Sequence, residues 1–141
     1  MFFSEPRRRK SKKQKLREKG RRSYRKGERF EKKAYPLLAR KGFKVTKSRV
    51  RSKKREEFDG LATDKHGHTH AVEVKSTKQK VSVAVVKKLK KKVSHHKLLH
   101  GGIIVSKSGF TKSAEQEAKK NGIKTIRFKR KRKKKSSGWF F

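Results

Sequence analysis

The sequence predicts an α/β domain with a mixed sheet, its elements in the order α-β-β-β-α-β-α-β. Three observations carry this. Apolar residues gather between positions 27 and 128 and thin out on either side. Within that stretch, helical and strand-like spacings alternate. Gly, Asn and Asp punctuate the periodic pieces.

Taken in order, Phe30, Ala34, Leu37 and Leu38 mark one face of a helix over 27–41, with Pro36 inside it as an expected kink or early break. Gly42 suits its C-terminal cap. Phe43 and Val45 open a strand running to 49, and 58–63 reads as a second strand. Asp64-Lys65-His66-Gly67 is a turn, and 68–75 a third strand carrying Ala71, Val72 and Val74. Val81, Val85, Leu89, Val93 and Leu98-Leu99 place a helix over 81–99. Gly101-Gly102 leads into Ile103-Ile104-Val105, a short apolar run suited to a buried strand. Thr111 is an N-cap for a helix ending near Asn121-Gly122, and 123–128 closes the set as a strand.

Composition bounds what such a domain can be. With 141 residues, 29% of them hydrophobic, there is room for one domain with one modest core. The net charge of +37 divides as +11 over 1–26 (13 basic, 2 acidic), +19 over 27–128 (28 basic, 9 acidic) and +7 over 129–141. The chain thus reads as a basic N-terminal arm (1–26), disordered or extended when free, a folded domain (27–128) and a basic C-terminal tail (129–141). Self-repulsion of this size is tolerated beside a polyanion, so nucleic acid is the expected partner and a membrane is not. Contacts to it are expected from Arg7, Arg8, Arg9, Arg21 and Arg22 in the arm and from Arg130 and Arg132 in the tail. Ser76 and the helix residues Lys87, Lys88 and Lys91 are further candidates. There is no cysteine, which rules out disulfides and thiolate zinc sites. No signal-peptide or membrane-spanning stretch is visible, so an intracellular, cytoplasmic protein is expected. His68 and His70 could share a strand face, but without a cysteine they read as hairpin residues rather than a zinc site.

The chemistry concentrates in Phe58-Asp59-Gly60 and Glu73-Val74-Lys75. In a strand, Glu73 and Lys75 project to one face, and Asp59 lies on the preceding strand. Two carboxylates that can hold Mg²⁺ and an ammonium beside a reacting phosphate are what a metal-dependent phosphodiesterase requires.

With these pieces on adjacent strands, and Gly27-Glu28-Arg29-Phe30-Glu31 on the first helix, residues 27–128 resemble the PD-(D/E)xK nuclease superfamily. The pieces Gly101-Gly102-Ile103-Ile104-Val105-Ser106 and Gly109-Phe110-Thr111 are similar to Mrr-type restriction endonucleases. Glu73, where those enzymes often carry Gln, is nearer the archaeal Holliday junction resolvases. Phe58 replaces the Pro of the superfamily's name. The resemblance implies a restriction-endonuclease-like sheet flanked by helices, with Asp59, Glu73 and Lys75 catalytic. It also implies Mg²⁺ (or Mn²⁺) held by Asp59 and Glu73, with Glu31 as a third or outer ligand, and a homodimer cutting DNA. The alternative expectation is a ribosome-associated or other structural RNA-binding protein on the same fold, because few nucleases need so much positive charge.

Overall fold

The computed structural model describes residues 8–51 and 57–128, with 47–51 described by backbone alone. Its elements are α1 (Lys12–Arg40), β1 (Lys44–Arg51), β2 (Glu57–Thr63), β3 (Thr69–Lys75), α2 (Val83–Ser94), β4 (Gly101–Ser106), α3 (Lys112–Lys120) and β5 (Lys124–Arg127). The order matches the sequence expectation. The expected contacts at Arg7, Arg130 and Arg132 lie outside the described residues.

One five-stranded sheet runs β1-β2-β3-β4-β5. The first three strands are antiparallel, while β3, β4 and β5 are parallel. Parallel strands need crossovers, and α2 and α3 supply them. β4 is buried along its whole length, which explains its unbroken apolar sequence. Alternation along the strands feeds two cores. Phe30, Ala34 and Leu38 of α1 pack with Ala62, Val72, Ile103, Val105 and Ile126 on one face. On the other, Val86 and Leu89 of α2 and Ala114 and Ala118 of α3 pack with Ala71 and Ile104. α2 lies close to the sheet, because a Cβ on Gly102 would sit 2.8 Å from Leu89 Cδ2.

Helix ends follow local chemistry. At the end of α1 the Phe43 N–H donates to the Leu38 carbonyl (3.0 Å) and the Gly42 N–H to Ala39 (3.1 Å), with Gly42 at φ +87. Gly122 ends α3 the same way, at φ +67. Only glycine adopts that conformation without strain. Thr111 caps α3 through its hydroxyl, which accepts from the Ala114 N–H.

Three boundaries differ from the sequence reading. The arm is not disordered or extended throughout, since α1 begins at Lys12. A capping box at Ser11 and Gln14 satisfies the first free N–H groups, and the packed half from Phe30 onward extends an already nucleated helix. Pro36 does not end α1, which continues to Arg40. The helix α2 is shorter than 81–99. Ser82 has extended backbone at its start, Val81 pairs as a bridge with Phe110, and Leu98 is left exposed beyond its end.

Candidate active site

At one end the β2–β3 ladder comes apart. Pairing runs from Thr63↔Thr69 to Gly60↔Val72 and stops, although β2 reaches back to Glu57 and β3 on to Lys75. Strand phase changes at the same point. Phe58 and Ala62 are four residues apart, yet they sit in opposite cores. The missing ladder bond is replaced by a side chain: Asp59 Oδ2 accepts from the Val74 N–H at 2.7 Å. A buried strand N–H left unpaired is costly, so Asp59 closes the sheet where the strands fork.

Glu73 occupies the α2-facing side of β3. Its Oε1 lies 3.2 Å from Lys92 Nζ, with both side chains largely shielded. Lys92 Nζ also donates to the Glu57 carbonyl (2.9 Å) and lies 5.7 Å above the Phe58 ring. Burial pushes the Glu73 carboxyl up from its ordinary range. The charge of Asp59 pushes the same way, and Lys92 and Lys75 only partly oppose it. Two carboxylates therefore share a fork, and the nearby ammonium groups do not fully offset what burial and Asp59 do to Glu73. Lys75 is half-buried two residues along the same strand, and its carbonyl accepts from the Lys107 N–H.

From the other face, the Tyr35 hydroxyl donates to the Asp59 carbonyl at 3.2 Å, tying α1 to the fork. Glu31 lies one turn before Tyr35 and is half-buried. Among the described residues, no three Asp, Glu or His side chains come together in an arrangement that could hold a metal. Asp59 and Glu73 are thus brought together as a pair, and Glu31 does not complete a trio. The pair is all-oxygen. That suits a hard divalent cation such as Mg²⁺, which keeps several waters and needs only one or two protein carboxylates.

Sequence reasoning overlooked Tyr35. It set Lys92 on the outer, solvated or phosphate-contacting face of its helix with Lys87 to Lys91, whereas Lys92 turns inward to Glu73. Lys92 carried a signal: Val85, Leu89, Lys92 and Val93 follow i, i+4, i+7, i+8, so a lysine stands where the inward stripe calls for an apolar residue. The neighbouring candidates Lys87, Lys88 and Lys91 are exposed, as are Arg8, Arg9, Arg21 and Arg22, while Ser76 is half-buried.

The histidines gather at the opposite end of the β2–β3 hairpin. Asp64 Oδ1 accepts from the N–H groups of His66 (2.8 Å) and His68 (3.0 Å), and Asp64 Oδ2 lies 2.9 Å from His70 Nε2. The His70 hydrogen bond, then those two backbone donors, hold the Asp64 carboxyl well below the usual carboxylate range. His68 stacks on His100 at 4.1 Å. These residues shape the hairpin.

Several solved structures share this fold. A repair endonuclease from Pyrococcus abyssi superposes with a TM-score of 0.51 at 20% identity, over 67% of this chain and 42% of its own. EndoMS in its apo form gives 0.52 at 18%, over 72% and 47%. A protein described as of unknown function gives 0.55 at 19%, over 69% and 55%. The chain spans about half the length of these structures. No curated protein matches it. Residues 24–131 match Mrr_cat, described as restriction endonuclease, and that match covers most of the sequence. The chain belongs to the Mrr_cat restriction endonuclease family.

Proposed function

We propose that this domain hydrolyses DNA phosphodiesters with a divalent metal at the β2–β3 fork, as an endonuclease of restriction or junction-resolving type. The observation that carries this reading is the convergence of two carboxylates, Asp59 and a Glu73 raised by burial and by Asp59, beside Lys75 on a strongly basic domain. Asp59 and Glu73 would hold Mg²⁺ (or Mn²⁺), with Glu31 reached, if at all, through water. When bound, the ion lowers the pKa of a water and offsets charge developing on the phosphate. The protein's own part is positional. Asp59 is fixed by the Val74 N–H, so one oxygen is oriented before any ion arrives. Lys75 stands next along β3, where an ammonium stabilises the transition-state phosphate and orients the attacking water. A homodimer would supply two such sites for cutting two strands.

The test is a Mg²⁺-dependent cleavage assay on duplex, four-way-junction and single-stranded DNA, with Asp59→Ala and Glu73→Gln beside the parent. Cutting that falls by about 10²-fold or more in both variants, with binding retained, is the expected result. Equal cutting by parent and variants overturns it. Tight binding without cutting on any substrate, together with salt-resistant association with ribosomal subunits, favours the structural RNA-binding reading, which draws on the charge alone.

A further inference from the structure

The first half of α1 has no place in the domain's core. Its buried residues begin at Phe30, and residues 12–26 are exposed apart from the half-exposed Glu18. Over 12–29 the helix carries ten Lys and Arg against two acids, Glu28 and Glu18, the latter paired with Lys10. Like charges recur at i, i+4 in Lys15–Lys19, Arg17–Arg21, Arg21–Arg25 and Arg22–Lys26, a pattern that weakens an isolated helix. Yet the helix has a complete capping box at its start and one register throughout.

The register matters. Leu16, Gly20, Ser23 and Gly27 continue the line of Phe30, Ala34 and Leu38 at steps of three and four. Where Phe30, Ala34 and Leu38 meet the sheet, among the described residues nothing lies within 4 Å of a Cβ built on Gly20 or Gly27, and Leu16 is 72% exposed. The direction is also fixed. The parallel strands β3, β4 and β5 all end on the side of Lys75, and Phe30 packs on Phe128 just past β5, at 5.2 Å. Tyr35 reaches the Asp59 carbonyl. The free half of α1 therefore projects past the same edge of the sheet that holds the fork.

We infer that residues 12–29 of α1 form a rigid arm that docks in the major groove of the duplex DNA being cut, along the Leu16-Gly20-Ser23-Gly27 stripe. This rests on the proposed nuclease reading for the position of the cut. Charge complementarity selects a polyanion. A helix about 10–12 Å across fits the roughly 12 Å major groove of B-form DNA and not the deep, narrow groove of A-form RNA. The small residues of the stripe admit close approach, and Lys19, Arg22 and Lys26 on one flank with Arg17 and Arg21 on the other reach the two phosphate rails. At about 1.5 Å per residue, Arg21 to Lys13 lie about 20–33 Å from Tyr35 along the axis. At 3.4 Å per base pair that is roughly 6–10 base pairs from the cut.

The experiment uses the full chain with Glu73→Gln, on a 40-base-pair B-form duplex, and measures the salt dependence of binding and the hydroxyl-radical footprint. Replacing Arg17, Arg21, Arg22 and Lys26 by Gln should lower the salt slope by about 3.6, which is about 150-fold in affinity across a fourfold salt change. Gly20→Pro keeps every charge but breaks the helix. It should leave the slope near the parent's while shortening the protected stretch by the arm's share, up to about 10 base pairs. A footprint unchanged by Gly20→Pro, or a slope unchanged by the four Gln substitutions, overturns the arm. Cleavage by the Glu73 parent separates the two ideas. No metal-dependent cutting alongside an arm-dependent slope and footprint sinks the nuclease reading and leaves the docking helix standing, and cutting without arm dependence does the reverse.

Discussion

Lys92→Met is the sharpest probe of the fork. It keeps an unbranched stem beside Phe58 and removes only the ammonium that faces Glu73 at 3.2 Å and the Glu57 carbonyl at 2.9 Å. Both members of the Lys92–Glu73 pair are less than one-fifth exposed, at 19% and 13%, so the interaction is only weakly screened. Removing one partner of such a pair leaves a shielded carboxylate and an unpaired carbonyl, a loss of about 2 kcal/mol. For a domain of this size that is about 8 °C in Tm. The dependence on pH follows from Glu73. Its folded pKa lies above the ordinary 4.5, so its contribution to stability falls away as pH rises through the folded value. Lys92 opposes that rise. The gap between parent and variant should therefore widen as pH rises toward 8, above a pH-independent floor left by the unpaired Glu57 carbonyl. A divalent cation takes over the missing positive charge. On the proposed site the variant should bind Mg²⁺ or Mn²⁺ more tightly than the parent because no lysine has to be displaced. At saturating ion the gap narrows by that difference alone, so closing about 2 kcal/mol needs a Kd about 30-fold tighter. Thermal melts at pH 5 and 8 with and without metal, with calorimetric titration of the ion, measure all of this. An equal Tm loss at both pH values, untouched by metal, would refute the reasoning and reduce Lys92 to a packing residue.

Three further outcomes are expected. Gly102→Ala drives a Cβ to 2.8 Å from Leu89 Cδ2 and 3.1 Å from Cγ in a full core, so it should cost about 1–3 kcal/mol in chemical denaturation. That cost should shrink in a Leu89→Ala background, and simple additivity would count against the close approach. Asp64→Asn should lower Tm at neutral pH. Because the folded Asp64 pKa is depressed, its contribution is present above about pH 4 and lost as pH falls further, so parent and variant melts should converge in acid. Parallel curves down to pH 2 would contradict this. Lys75→Arg keeps the charge but not the compact ammonium, and should lower kcat by roughly 10-fold or more with little change in binding. Unchanged turnover would remove Lys75 from the chemistry.

Much of the fold was legible because its signals are local. The Phe30-Ala34-Leu38 stripe, the Gly42 and Gly122 caps, the Thr111 cap and the apolar run at Ile103-Ile104-Val105 each dictate their own element. The arm was misjudged on charge density, although Ser11-x-x-Gln14 spells a capping box in the sequence itself. Charge makes a helix costly without forbidding it. At the site, strand alternation brought Glu73 and Lys75 to one side, but it could not reveal that β2 leaves its ladder at Gly60, since that depends on pairing with β3. The Lys92–Glu73 pair spans 19 residues and two elements, so only the out-of-pattern lysine hinted at it.

Asp59 has a second occupation. The oxygen that takes the Val74 N–H is a stitch in the sheet, whatever else the carboxylate does. Any variant of this domain is held to an acid or amide at position 59, or else has to reweave the fork. Position 73 holds no backbone N–H among the described residues: its carboxylate is raised by burial and by Asp59, and its partner in the fold is the Lys92 ammonium. The two acids thus answer to different partners, one to a strand's backbone and the other to a helix's side chain.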